Sequence, residues 1–354
     1  MKNIIKLTFA SIALLALSTA CSEGYIDDIS QIAAGEDKLA PTVEILSPTG
    51  NIFIPSTASG SNMNFQYKVS DDIEIGNVEL FLDGVKLASY NEFIDYRNLN
   101  SSFSYNNLGL GSHTFMVNAK DLTGKTATKS FTFNIDKYNK LLDAETLYMP
   151  FSSGNIFTDL ISTNNPTVVG SPLTFSGGHS GSAYQGVKDS YLSYPIDNLF
   201  GAKELSIAFW YKVDPTQERA GIVVVGDPDE TNNDDGRKKG FRLFREGANK
   251  SIKLNVGIGS SDSYNVFDLG SATGWVHITV TISESESKTY LNGVLQSTST
   301  LSSPISFNNC KNVVIGSGGP TFAYWDHFSD TSGIDEFRFF NKALTPTEIQ
   351  TIMQ

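Results

Sequence analysis

LSIAFWYKVD, from Leu205 to Asp214, is the stretch on which the fold turns. Ser206, Ala208, Trp210 and Lys212 alternate with Ile207, Phe209, Tyr211 and Val213, a period of two that sends the sets to opposite faces of a strand. A curved sheet then buries one face and presents the other. Before it lie GSAYQG (181–186) and YLSYP (191–195); after it come GWVHITVTI (274–282), KTYLNGVL (288–295), VVIGSG (313–318) and GIDEFRFFNKALTPTEI (333–349). Such short apolar runs, divided by Gly, Asn, Ser and Asp clusters, read as strands and turns. Amphipathic helical periodicity is nearly absent. Thr345-Pro346-Thr347-Glu348 is the exception: an N-cap, a proline at the first helical position and a capping-box glutamate predict one short C-terminal helix.

In this order, these motifs resemble the LamG-like, concanavalin A-like jelly-roll family, which implies a jelly roll over 143–354. Upstream, residues 41–138 read as seven short strands: Thr42–Leu46, Asn64–Val69, Asn77–Leu82, Val85–Ala88, Ser102–Tyr105, Gly111–Ala119 and Thr126–Ile135. Asp83-Gly84 between two of them is a two-residue hairpin signal, because both central positions of a type I′ turn need positive φ. PTVEILSP, VSDDIEIGNVELFLDGVKL and LGSHTFMVNAKDLTGKTATKSFTF are similar to bacterial immunoglobulin-like domains. The expected fold class is therefore all-β: an Ig-like sandwich followed by a concanavalin A-like (LamG-like) jelly-roll sandwich.

At the N-terminus, Lys2 and Lys6 precede an apolar segment and the small residues Ser18-Thr19-Ala20 before Cys21, the pattern of a secretory signal over 1–20. The apolar run falls short of the roughly 20 residues that span a bilayer. With Cys21 at the cut, the stretch resembles a bacterial lipobox, which implies lipid attachment at Cys21, a membrane anchor and export. Residues 21–40 are acidic and read as a solvated tether. Acids directly behind the cysteine also resemble the export signal of Bacteroidetes-type surface lipoproteins, implying an outer-membrane, cell-surface location.

Composition narrows the function. The 354 residues carry a formal charge of -12, and removing residues 1–20 deletes Lys2 and Lys6 but no acid, leaving 24 minus 38, or -14. Nucleic acid is a poor partner for such a chain, because phosphate attraction needs clustered Lys and Arg. Of the two cysteines, Cys21 and Cys310, one is assigned to lipid, so no intramolecular disulfide is expected. No Glu-x-Asp-x-x-Glu strand places two carboxylates about 5 to 5.5 Å apart for retaining glycoside hydrolysis. Gly-x-Ser-x-Gly and His-Glu-x-x-His are missing too, so no catalytic residue is assigned.

The family resemblance implies a structural calcium held by Asn155, Asp159 and Asp335, oxygen donors of the kind a hard cation takes. The chain departs from the family at Asp159-Leu160-Ile161-Ser162, which lacks the glycine of a sharp ligand-presenting turn. A second reading has Asp335 accepting backbone amides at a strand edge. DPDETNNDDG (227–236) reads as an acidic surface turn. The loop Gly318–Phe328 carries aromatics that the strand motifs do not explain. Tyr324, Trp325, Asp326 and His327 mix rings with polar groups, as saccharide recognition needs, and Phe322 reads as a plug beneath them. The expected function is glycan capture in a polysaccharide-utilisation system, with a polysaccharide as partner. A glycoside hydrolase of the concanavalin-like superfamily and a protein-binding adhesion module are the alternatives.

Overall fold

The computed structural model describes residues 37–152, 156–230 and 233–353. The signal run, Cys21, most of the tether and Asn155 lie outside the described residues. Among the described residues the chain is two β-sandwiches with two short helices and one 3-10 turn, and no helix is long and apolar enough to cross a membrane.

In the first sandwich, β1 (Thr42–Ser47), β3 (Gly60–Ser70) and β6 (Asn98–Gly109) form one sheet in the order β1-β3-β6. The facing sheet runs β2 (Ile52–Ile54), β8 (Thr126–Lys137), β7 (Gly111–Asp121), β4 (Ile75–Leu82) and β5 (Val85–Tyr90). Alternation decides what is buried. Met63, Phe65, Tyr67 and Val69 of β3 point inward, and Phe65 stacks on Phe115 at 4.3 Å. The β4–β5 turn has Asp83 and Gly84 at φ 52° and 79°, as the hairpin signal required. Seven strands match the expected ones, while β2 is additional: three residues are too few for a period to show. It pairs parallel with β8. Of the described tether residues, 38–40 are exposed, while Asp37 accepts a bond from Lys125 Nζ at 2.9 Å.

The second sandwich packs a seven-stranded sheet on an eight-stranded one. The first runs β10 (Thr167–Val169), β13 (Tyr191–Pro195), β22 (Asn312–Ile315), β15 (Ala220–Val225), β16 (Phe241–Glu246), β17 (Ser251–Gly257) and β18 (Asp262–Asp268). The second runs β11 (Leu173–Ser176), β12 (Ser182–Gln185), β23 (Gly333–Phe340), β14 (Leu205–Lys212), β19 (Val276–Ile282), β20 (Glu286–Leu291) and β21 (Val294–Thr300), with β9 (Glu145–Met149) paired to β23. Ile207, Phe209 and Tyr211 of β14 meet Leu243, Leu254, Phe337 and Phe339 in the core. Each such side chain stabilises the fold by about 1.5–3 kcal/mol relative to exposure. The opposite face of β14 is only partly presented. Helix α2 (Pro346–Ile352), entered through the expected Thr345–Glu348 capping box, lays Ile349 and Ile352 over Ala208, Tyr290 and Phe340.

Two other segments differ from expectation. The run 227–236 is not a surface turn throughout: it contains helix α1 (Asn233–Gly236), and Asp227 is buried, accepting from Lys239 Nζ at 2.6 Å and from the Asp229 amide at 3.0 Å. The two sandwiches are also joined by a buried polar cluster. Tyr138, just past β8, donates to Glu145 at 2.8 Å, and the Arg338 guanidinium pairs with Glu145 while lying 3.6 Å from the centre of the Tyr148 ring.

Candidate functional site

The outward face of β16, β17 and β18 forms the floor of an open groove. Phe241, Leu243, Ile252, Leu254 and Phe267 point to the core, so the period of two turns Phe244 and Glu246, Lys253, and Tyr264 and Val266 the other way. With Arg219 and Trp325 they line a cleft of about 520 Å³. Tyr264 and Val266 remain exposed.

Trp325 arrives on an arch, residues 316–330, that crosses this face over β15 and β16. The arch sits directly on the sheet. A Cβ on Gly221 of β15 would lie 2.0 Å from the Gly318 amide nitrogen, so the close approach requires a glycine there. Gly221 N donates to Phe328 O at 3.1 Å, and Phe322 N donates to Gly318 O at 2.7 Å. Phe322 is the plug that was expected: it is 1% exposed and packs on Phe244 at 4.9 Å, with the Arg242 guanidinium 5.7 Å away. Tyr324 stands edge-on to Phe322, and Trp325 edge-on to Tyr324.

Trp325 is 53% exposed and holds φ 60°, ψ 30°, and Asp326 follows at φ 63°. A left-handed non-glycine residue costs of order 1–3 kcal/mol, and such strain clusters at functional positions. Arg219 holds the turn by donating to Trp325 O at 3.1 Å, and the Arg237 guanidinium lies 5.8 Å from the Trp325 ring. Glu246 gathers the charges: Lys253 Nζ bonds one oxygen, while His327 Nε2 at 3.2 Å and Arg219 Nη1 at 3.8 Å face the other. Burial opposes the Glu246 charge, but the Lys253 hydrogen bond and the surrounding cations outweigh it and hold its pKa below the usual glutamate range.

The four loop residues expected to touch ligand thus separate. Trp325 lines the groove, and Asp326 is exposed beside it. His327 is a correction: it is fully buried, stacked on Phe322 at 4.6 Å, and burial keeps its pKa below the usual histidine value. Its ring supports the arch from below. Tyr324 is half-buried between Phe322 and Trp325, a spacer more than a contact. Glu246, Lys253, Tyr264 and Arg219 were not singled out; for the first three, strand parity in FRLFRE, SIKLNVG and DSYNVFD was the available signal.

Of the expected calcium ligands, the two among the described residues, Asp159 and Asp335, are engaged by backbone donors. Asp159 is fully buried, and its two oxygens accept from the amides of Tyr148, Ile161 and Ser162 and from the Ser162 hydroxyl. Four donors fill the lone pairs that a metal would need. Asp335 accepts from the amides of Ser180 and Glu336, both at 2.9 Å, the strand-edge reading left open above. Burial pushes its pKa up to about 8 despite those amides. Among the described residues no group of three or more His, Cys, Asp or Glu side chains is arranged to hold a metal.

Residues 41–146 match the family described as bacterial Ig domain, and residues 185–350 match the family described as concanavalin A-like lectin/glucanases superfamily. The chain carries a bacterial Ig domain followed by a concanavalin A-like domain. Among solved structures, domain 4 of AbnA, an extracellular arabinanase from Geobacillus stearothermophilus in complex with arabinotriose, is 20% identical at a TM-score of 0.46, covering 59% of this chain and 98% of that one. The binding domain of botulinum neurotoxin DC in complex with SialylT is 16% identical at 0.44, covering 59% of this chain and 51% of that one. The serotype C1 binding domain is 14% identical at 0.43, covering 61% and 52%. This chain therefore spans about half the length of the two toxin domains. No curated protein sequence matches it.

Proposed function

We propose that the concanavalin A-like domain captures carbohydrate in the groove between the arch and the outward face of β16, β17 and β18. One observation carries the reading: Trp325 is exposed on strained backbone, fixed by the Phe322 plug and Arg219, and faces a cleft that mixes Tyr264 and Phe244 with Arg219, Glu246 and Lys253. Sugars offer C–H faces to aromatic rings and hydroxyls to charged and amide groups, and this lining supplies both. A glycan array on the full chain, with and without Trp325→Ala, tests it. A weakened signal from the variant at unchanged melting temperature is expected; equal signal from the two proteins defeats the assignment.

The Met1–Cys21 run supports an exported, lipid-anchored setting for this capture, with the protein serving as an accessory to polysaccharide utilisation at a Bacteroidetes-type cell surface. Metabolic labelling with a palmitate analogue checks the anchor, since Cys21→Ala removes the proposed attachment thiol. Undiminished label in that variant overturns it.

A further inference from the structure

We propose that the junction of the two domains forms a second carbohydrate subsite, specific for a neutral sugar unit, that neither domain builds alone. A pocket of about 410 Å³ opens there, within the usual range for small-molecule sites, which favour domain interfaces. The Ig domain contributes β2 and the end of β8, the linker contributes Asn139, and the concanavalin A-like domain contributes Tyr148, Ser180 and β23.

One wall is aromatic. Phe53 lies between the buried Ile52 and Ile54 of β2, so its own ring turns outward, and it is 43% exposed. It stands 6.3 Å edge-on to Tyr138, which in turn lies 4.4 Å from Tyr148; the two tyrosines are buried and back the Phe53 ring, which carries the exposed aromatic face. Asn51, Asn139 and Ser180 add amide and hydroxyl groups to the lining.

Charge selects the ligand class. Two cations, Lys137 and Arg338, stand in or beneath the pocket against two carboxylates, Glu145 and Glu336. Arg338 is already committed: it pairs with Glu145, bonds Glu336 at 2.9 Å and covers the Tyr148 ring. Tyr148 in turn donates to Glu336 at 2.7 Å. An anionic ligand would have to compete with these contacts for the guanidinium, and a cationic one would compete for the carboxylates. A neutral polyol instead meets an aromatic wall, a balanced and rigid floor and the side-chain amides of Asn51 and Asn139, the first anchored by the Asn134 amide at 3.0 Å. The Ig domain then becomes half of a binding site and not only a spacer.

Isothermal titration of the full chain with neutral hexasaccharides of arabinose, xylose, mannose and glucose tests the site, using Trp325→Ala, Phe53→Ala and the double variant. Trp325→Ala alone is expected to retain saturable binding to at least one probe, which Phe53→Ala then weakens by about tenfold, the scale of one aromatic contact. Asn139→Arg, which fills the pocket without touching the Phe53 packing, should reproduce that loss. Binding that survives both pocket variants unchanged overturns the proposal, as does failure of the wild type to bind any probe. The groove reading fails separately, if Trp325→Ala leaves affinity intact while the pocket variants reduce it.

Discussion

At the scale of single residues, Trp325 keeps a large ring on backbone that glycine would occupy more readily. The left-handed penalty of roughly 1–2 kcal/mol falls on any L side chain, so Trp325→Gly should melt higher than Trp325→Ala while both weaken glycan binding equally. Calorimetry beside the array separates strain from contact. His277 supplies a pH prediction. Burial, with Arg338 and His179 adding positive charge nearby, pushes its pKa down to about 3, against about 6.5 in an unfolded chain. A depressed histidine gives stability that is complete above about pH 6.5 and is lost as the pH falls toward 3, where only the unfolded state has taken the proton. The wild type should therefore lose melting temperature across that window more steeply than His277→Gln. The exposed tryptophan was legible because no strand motif accounted for it. His327 was misread for a physical reason: an imidazole in a polar loop looks the same in sequence whether it faces a sugar or stacks on Phe322.

At the scale of elements, the arch and the sheet beneath it are one unit. Phe322→Ala removes a buried aromatic and should cost about 3–5 kcal/mol in chemical denaturation. It should also weaken glycan binding to the level of Trp325→Ala, although Phe322 does not line the groove, because Trp325 would lose its seat. Undiminished binding by the folded variant would show that the arch holds its shape without the plug. The β16 part of the groove floor escaped sequence reading because that strand is buried on both faces, by the core on one side and the arch on the other. Alternation marks a face only where one side meets water. The strand β14 pattern survived because its core side is uniformly large and apolar, and the capping box of α2 depends on four adjacent residues alone. Asp159 misled for a related reason. A carboxylate in an Asn/Asp-rich turn serves a cation or backbone amides equally well, and only the fold brings the Tyr148 amide to it.

At the scale of the whole molecule, the succession of the motif strands along the chain could be read from local runs, but strands β15 to β18 and the junction could not. Tyr138, Glu145 and Arg338 meet across as many as 200 positions in the chain, and nothing local to any of them announces the others. Arg338→Ala leaves the Glu145 carboxylate buried without its cation and should cost about 3–5 kcal/mol. It should also split a single thermal transition into two, one for each domain, in differential scanning calorimetry. A single, merely lowered transition would mean that the domains are coupled elsewhere. The short strand β2 bears on something different again. It runs parallel to β8, with Ile52 beside Ile135 and Ile54 beside Lys137, so the strand near the start of the Ig domain and the strand that leaves it point the same way. A pull applied between the two ends of that domain drags these strands past each other lengthwise, loading their bonds together and not peeling them singly, even after β1 has been drawn off. The smallest strand of the domain is thus placed as its mechanical latch, in a protein whose proposed work is to hold on to something larger than itself.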